Sequence, residues 1–143
     1  LQAFLYYKMI NSPYLIGKNH TLLRIKLGSM YLFDNYLVTE FNEGVVINHD
    51  NFREVAEIIN KQFNNKPFGF IANRLNSYSI DLKDASKFNE NFPNLKAYAV
   101  VVYSSLNEQF IETENHFFKF NREAFKTLDN AAEWVEKMLS IEA

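Results

Sequence analysis

The chain has 143 residues, of which 48% are hydrophobic and 16% aromatic, and 15 basic against 17 acidic side chains leave a formal net charge of -2. That supplies the core of one independently folding domain and too little length for two. No block of basic residues is present, which argues against nucleic-acid binding through a counterion-displacing face. With no Cys, the chain has no disulfides, thiol nucleophiles or thiolate metal sites, and it suits a reducing, cytoplasmic setting.

The opening stretch, "LQAFLYYKMINSPYLIGKNH", is apolar but is broken by Lys8, Asn11 and Pro13 before the roughly 20 residues that a membrane span requires. It also lacks the ordered basic, apolar and small-residue regions of a signal peptide. Residues 1–20 are therefore read as an N-terminal extension without an assigned role, and residues 21–143 as the domain. From Leu22 to Phe41 the pattern is extended. In "MYLFDNYLVTEF", Asp34 and Asn35 form a two-residue turn of a kind that tolerates positive φ, so residues 29–33 and 36–42 are expected to pair as a hairpin. After Gly44, "VVIN" remains extended.

Phe52, Val55, Ala56, Ile59 and Phe63 then recur at helical spacing, predicting a helix over about residues 50–64 capped by Asn48 or Asp50. "FGFIAN" is a short, nearly unbroken apolar run, the signature of a strand covered on both faces. Asp81, Leu82, Ala85 and Phe88 predict a shorter helix that closes near Pro93, and "LKAYAVVVY" over residues 95–103 is again strand. Ser105 and Glu108 stand at capping-box spacing ahead of a third helix that runs to about Phe118. "REAFKTL" reads as the last strand, and Asp129 opens a final helix with Ala132, Val135 and Leu139 facing inward. A hairpin followed by alternating helices and strands predicts an α/β domain: a mixed, mostly parallel sheet of about five strands with about four helices.

"NEGVVINHDNF", "FGFIANRLNSYSIDL", "AYAVVVY" and "FFKFNREAFKTLDNAAEWVEKM" together resemble the STAS/SpoIIAA-like domains of small bacterial proteins, over about residues 21–140. The resemblance implies that same fold and a regulatory or binding role. In anti-anti-sigma members of the wider group an Asp-Ser pair after the central strand carries a regulatory phosphate. Here Ser79, Ile80 and Asp81 stand in the reverse order, without the Gly that usually follows. Other members are taken to bind lipids or apolar ligands.

In an open parallel sheet, loops leaving the carboxyl ends of the strands gather on one rim and tend to bind ligands. Three polar stretches are expected there: Asn48, His49 and Asp50; Asn73 to Ser79; and Tyr103, Ser104 and Ser105. The candidate binding residues are Arg74, Asn76, Ser77, Tyr78, Ser79, Asn48, His49 and Ser104, for a protein partner or a small ligand. The alternative is plain turn chemistry: Arg74 paired with an acid, Asn76 and Ser79 satisfying turn amides, and Tyr78 packed across the sheet edge.

A hydrolase would use His49 with Ser77 or Ser104, but there is no Gly-x-Ser-x-Gly elbow. An apolar-ligand carrier would use the aromatic surplus as a cavity lining. Glu112 and His116 sit four apart without further ligand spacing, so no metal is expected. The four glycines are scattered, which leaves no phosphate cradle, and no cofactor is expected. An exposed apolar patch would point to a homodimer as a further partner.

Overall fold

The computed structural model describes residues 17–142 together with Ser12 and Leu15, so most of the N-terminal extension lies outside the described residues. In chain order the elements are β1 (Thr21–Ile25), β2 (Gly28–Leu32), β3 (Tyr36–Phe41), β4 (Val46–Ile47), α1 (Arg53–Phe63), β5 (Phe68–Asn73) and β6 (Ser79–Ile80). A 3-10 turn (Leu82–Asp84), α2 (Ala85–Asn91), β7 (Leu95–Val101), α3 (Ser105–Asn115), β8 (Arg122–Phe125) and α4 (Leu128–Glu142) follow.

Six strands form one sheet in the order β1-β2-β3-β5-β7-β8. The first two pairings are antiparallel, and β3 with β5, β5 with β7 and β7 with β8 are parallel. Among the described residues the expected mixed, mostly parallel sheet with four helices is thus present, and β1 is the strand beyond the five anticipated. The expected hairpin is β2–β3, closed by Phe33 N–H donating to the Tyr36 carbonyl at 2.9 Å. Its turn residues do not use positive φ. Among the described non-glycine residues that conformation falls at Asn64 and Asn65, where α1 ends.

Alternation along the strands divides the interior into two cores. Leu37, Phe70, Ala72, Tyr98 and Val100 face one side and meet Val55, Ile59 and Phe63 of α1 and Phe88 of α2. Tyr36, Val38, Ile71, Ala97, Ala99 and Val101 face the other and meet Ala131, Ala132, Val135 and Leu139 of α4. Gly69 of β5 and the small Ala97 and Ala99 of β7 let α4 approach closely: a Cβ added at Gly69 would lie 2.3 Å from Val135 Cγ1.

Helix starts depart from the sequence reading in two places. Phe52 is the N-cap of α1 and makes no side-chain cap, because Asn48 and Asn51 instead bind each other's backbone amides one turn earlier, at 2.8 and 2.9 Å. In α3 the cap is Ser104, whose Oγ accepts from Asn107 N at 3.3 Å, while Ser105 is already helical. α3 also stops at Asn115, short of Phe118. It is lightly anchored, its buried residues being Ile111 and Glu114.

Candidate functional site

Arg74 follows the last residue of β5, and its N–H extends the ladder by donating to the Val101 carbonyl at 3.1 Å. Its side chain turns inward and is 2% exposed, too costly for a guanidinium unless it is paired. The partner is Glu114 of α3, whose Oε1 accepts from Arg74 Nη2 at 2.7 Å. The same oxygen accepts from Arg122 Nη2 of β8 at 2.5 Å. Two buried cations therefore share one carboxylate, leaving an excess positive charge in the interior.

Aromatic faces disperse that charge. The Arg74 guanidinium lies 4.8 Å from the Tyr78 ring centroid, and that of Arg122 lies 4.6 Å from Tyr98 and 5.1 Å from Phe118. Burial works against the Arg74 charge, but Tyr78 and Glu114 outweigh it and hold the group more firmly protonated than usual. Burial likewise pushes the Tyr78 hydroxyl up to about 12. Arg74 Nε and Arg122 Nε have no hydrogen-bond partner among the described residues.

The residues after Arg74 are stitched to the β3–β4 connection. Asn76 Nδ2 donates to the Phe41 carbonyl at 2.9 Å, Ser77 N to Glu43 Oε2 at 2.5 Å, Gly44 N to the Ser77 carbonyl at 2.7 Å and Ser79 N to the Val45 carbonyl at 3.1 Å. β4 and β6 pair in parallel as a separate two-stranded ribbon. Between that ribbon and α3 lies a half-open cleft of about 290 Å³, with Ser77, Tyr78, Ser79 and Ile80 on one wall and Phe110, Thr113 and Glu114 on the other. Phe110 is 51% exposed. Behind the cleft is a void of about 50 Å³ lined almost wholly by aromatic and aliphatic side chains, and Tyr78 and Ile80 border both spaces.

The sequence-selected residues thus divide into groups. Ser77, Tyr78 and Ser79 line the cleft, Arg74 lies beneath Tyr78, and Asn76 secures the loop. Asn48 and His49 belong to another neighbourhood: the His49 amide donates to Asp84 Oδ2 at 2.8 Å, holding that carboxyl below its ordinary range, and the ring Nε2 lies 3.1 Å from Asn91 Nδ2. The depression that His49 lines contains no serine, and Ser104 serves as the α3 cap. Among the described residues, no group of His, Asp or Glu is placed to hold a metal ion. No described helix is long and apolar enough to cross a membrane.

One polar group escaped the sequence reading. Glu40 lies inside β3 and is 7% exposed; its Oε1 accepts from the Tyr31 hydroxyl at 3.1 Å and its Oε2 from Asn73 Nδ2 at 2.8 Å. Asn73 Oδ1 in turn accepts from the Tyr103 hydroxyl at 2.6 Å. Burial raises the Glu40 carboxyl to about 7, against the opposing effects of Asn73, Tyr31 and Arg24. The available signal was a lone acid within the β-rich run "YLVTEF".

No protein-family model matches the chain, and no curated protein does. Among solved structures it is similar to an uncharacterised protein of the DUF3478 family with a SpoIIAA-like fold from Shewanella loihica PV-4. The TM-score is 0.53 at 14% identity, and the match covers 82% of this chain and 92% of that one. The chain has a SpoIIAA-like fold.

Proposed function

We propose that the protein is a cytoplasmic, non-enzymatic binding module that holds a small ligand in the cleft between the β4–β6 ribbon and α3. One observation carries this reading: the cleft joins the hydroxyl-bearing Ser77, Ser79 and Thr113 to the exposed Phe110 and the half-buried Ile80 and Leu82. Its volume of about 290 Å³ sits at the lower bound of ordinary ligand pockets, roughly 300 Å³. A compact ligand with a polar end for the hydroxyls and an apolar flank for Phe110 fits that lining. Arg74 is a positioning residue here, since it supports Tyr78 from beneath and anchors α3 through Glu114.

The test is a two-dimensional amide NMR screen against a library of small amphipathic fragments. Shifts should cluster at residues 77–82 and 110–114, and Ser79→Trp, which fills the cleft from an exposed position, should abolish them. Fragments that bind elsewhere, or bind the tryptophan variant equally well, would refute the assignment.

A second reading, an apolar-ligand carrier, is favoured by the aromatic void that meets the cleft at Tyr78 and Ile80. At about 50 Å³ the void holds a small group and not a chain, so this reading requires Tyr78 to swing aside. A naphthalene-type fluorescent probe should then bind Tyr78→Ala at least tenfold more tightly than the wild type. Equal affinity would remove it.

A further inference from the structure

On the α4 side of the sheet, at the carboxyl ends of β3 and β5, the Glu40 network runs from the interior to the surface. Glu40 and Asn73 are buried, whereas Tyr103 is 48% exposed and immediately precedes the Ser104 cap of α3. We infer that Glu40, Asn73 and Tyr103 form a proton-driven relay, in which proton uptake at Glu40 inverts the Asn73 amide and turns the Tyr103 hydroxyl hydrogen outward.

The argument is one of hydrogen-bond supply. An ionised carboxylate only accepts, and the observed arrangement matches that state: Tyr31 O–H and Asn73 Nδ2–H both donate to Glu40. When Glu40 takes a proton from water onto Oε2, that oxygen becomes a donor facing another donor. A buried donor left without an acceptor costs roughly as much as a lost hydrogen bond or more. Rotating the Asn73 amide by half a turn resolves the conflict. Oδ1 then accepts from the Glu40 O–H, and Nδ2 donates to the Tyr103 oxygen, which releases the tyrosine hydrogen toward solvent.

Asn73 suits this role because its side chain carries an acceptor and a donor on one planar group, and it is only 1% exposed, so water does not substitute for either partner. Among the described residues, the charged and titratable groups around Glu40 are Arg24, Tyr31 and Tyr103. Arg24 on β1 favours the ionised form, with its Nη1 donating to Ser29 Oγ at 3.3 Å. Tyr31 contributes from β2. Tyr103 follows β7, and its own hydroxyl is raised by burial and by the Glu40 charge.

The test is an NMR titration of the intact chain, following Glu40 Cδ, the Asn73 side-chain amide and Tyr103 Cζ. All three signals should move together in one step with a midpoint near 7, where Glu40 titrates. Glu40→Gln, close in shape to the protonated acid, should flatten the other two curves and fix Tyr103 in its low-pH position. Tyr103→Phe, a conservative change that keeps the Asn73 step, should leave the Glu40 midpoint within about one unit. If Glu40 titrates while Asn73 and Tyr103 stay flat, the proton is accommodated at Tyr31 and the relay is wrong. A Glu40 midpoint in the ordinary carboxylate range would overturn it equally.

Discussion

Replacing Glu114 by Gln isolates the electrostatic role of the Arg74–Glu114–Arg122 cluster, because the side chain keeps its shape and creates no cavity. The carboxylate oxygen lies 2.7 Å from one guanidinium nitrogen and 2.5 Å from the other, and both arginine side chains are 2% exposed. At an effective dielectric of about 20, each contact is worth about 6 kcal/mol of attraction, which offsets the desolvation of both cations and their mutual repulsion. Removing the acid leaves two buried positive charges without their anionic partner, and breaking such a cluster costs about 3–5 kcal/mol. That is a large share of the roughly 5–15 kcal/mol that holds a domain together.

Urea unfolding followed by circular dichroism and by the single Trp134 measures the loss. Since Ile111 is the other buried residue of α3, amide exchange should quicken in Ser105–Asn115 before the Trp134 signal reports global unfolding. Replacing all three members by apolar residues of similar volume should recover most of the stability. A Glu114→Gln protein within about 1 kcal/mol of wild type would show that solvent already compensates the arginines, and the reasoning would fail.

Other perturbations read other parts of the structure. Gly69→Ala places a Cβ 2.3 Å from Val135 Cγ1 and 3.3 Å from Tyr36 Cβ, and overpacking of this kind should cost about 1–3 kcal/mol, measured as a lower urea midpoint at unchanged slope. Ser104→Ala removes the side-chain acceptor for Asn107 N and should cost about 1 kcal/mol, seen as faster amide exchange confined to the start of α3.

Glu40 makes stability depend on pH, with a definite sign. Its carboxyl is raised from 4.5 to about 7, so the folded chain holds the proton more tightly than the unfolded one. The stabilisation is fully present below 4.5 and is lost as pH rises through about 7, by about 3 kcal/mol in all. Glu40→Gln should remove that slope, so the variant gains on the wild type between about pH 5 and about pH 8; parallel stability curves would contradict this.

The parts of the fold that were legible in the sequence are those in which burial dictates composition over many residues. "FGFIAN" and "LKAYAVVVY" are apolar throughout because β5 and β7 are covered on both faces, by the α1–α2 layer and by α4. α1 announces itself through Val55, Ile59 and Phe63, which are all buried. The capping box of α3 was offset by one residue because Ser104 and Ser105 are chemically alike. Only the extended backbone of Ser104, with φ -150 and ψ 154, distinguishes the cap from the first helical residue. The β4–β6 ribbon was read only in part: "VVIN" was expected to be extended, as β4 is, but β6 and its pairing with β4 were not anticipated, for a different reason. A strand of two residues has no period to detect, and its pairing joins segments more than thirty residues apart.

Long-range pairing also limits how far the site could be read. Arg74 stood out because a guanidinium directly after a doubly covered strand needs a counter-charge, yet nothing in the chain marks Glu114, forty residues later, as its partner. Glu114 lies three residues after Ile111, so helical geometry turns both toward the sheet. Arg122 arrives from a separate strand at the sheet edge, beyond the reach of any local pattern. The polar tract from Arg74 to Ser79 makes the expected turn contacts and borders a cleft. Its backbone and Asn76 satisfy turn chemistry, while Ser77, Tyr78 and Ser79 remain on the wall of a cleft whose opposite wall is a helix held mainly by one isoleucine and one carboxylate. The charge cluster that anchors α3 therefore also sets the width of the cleft.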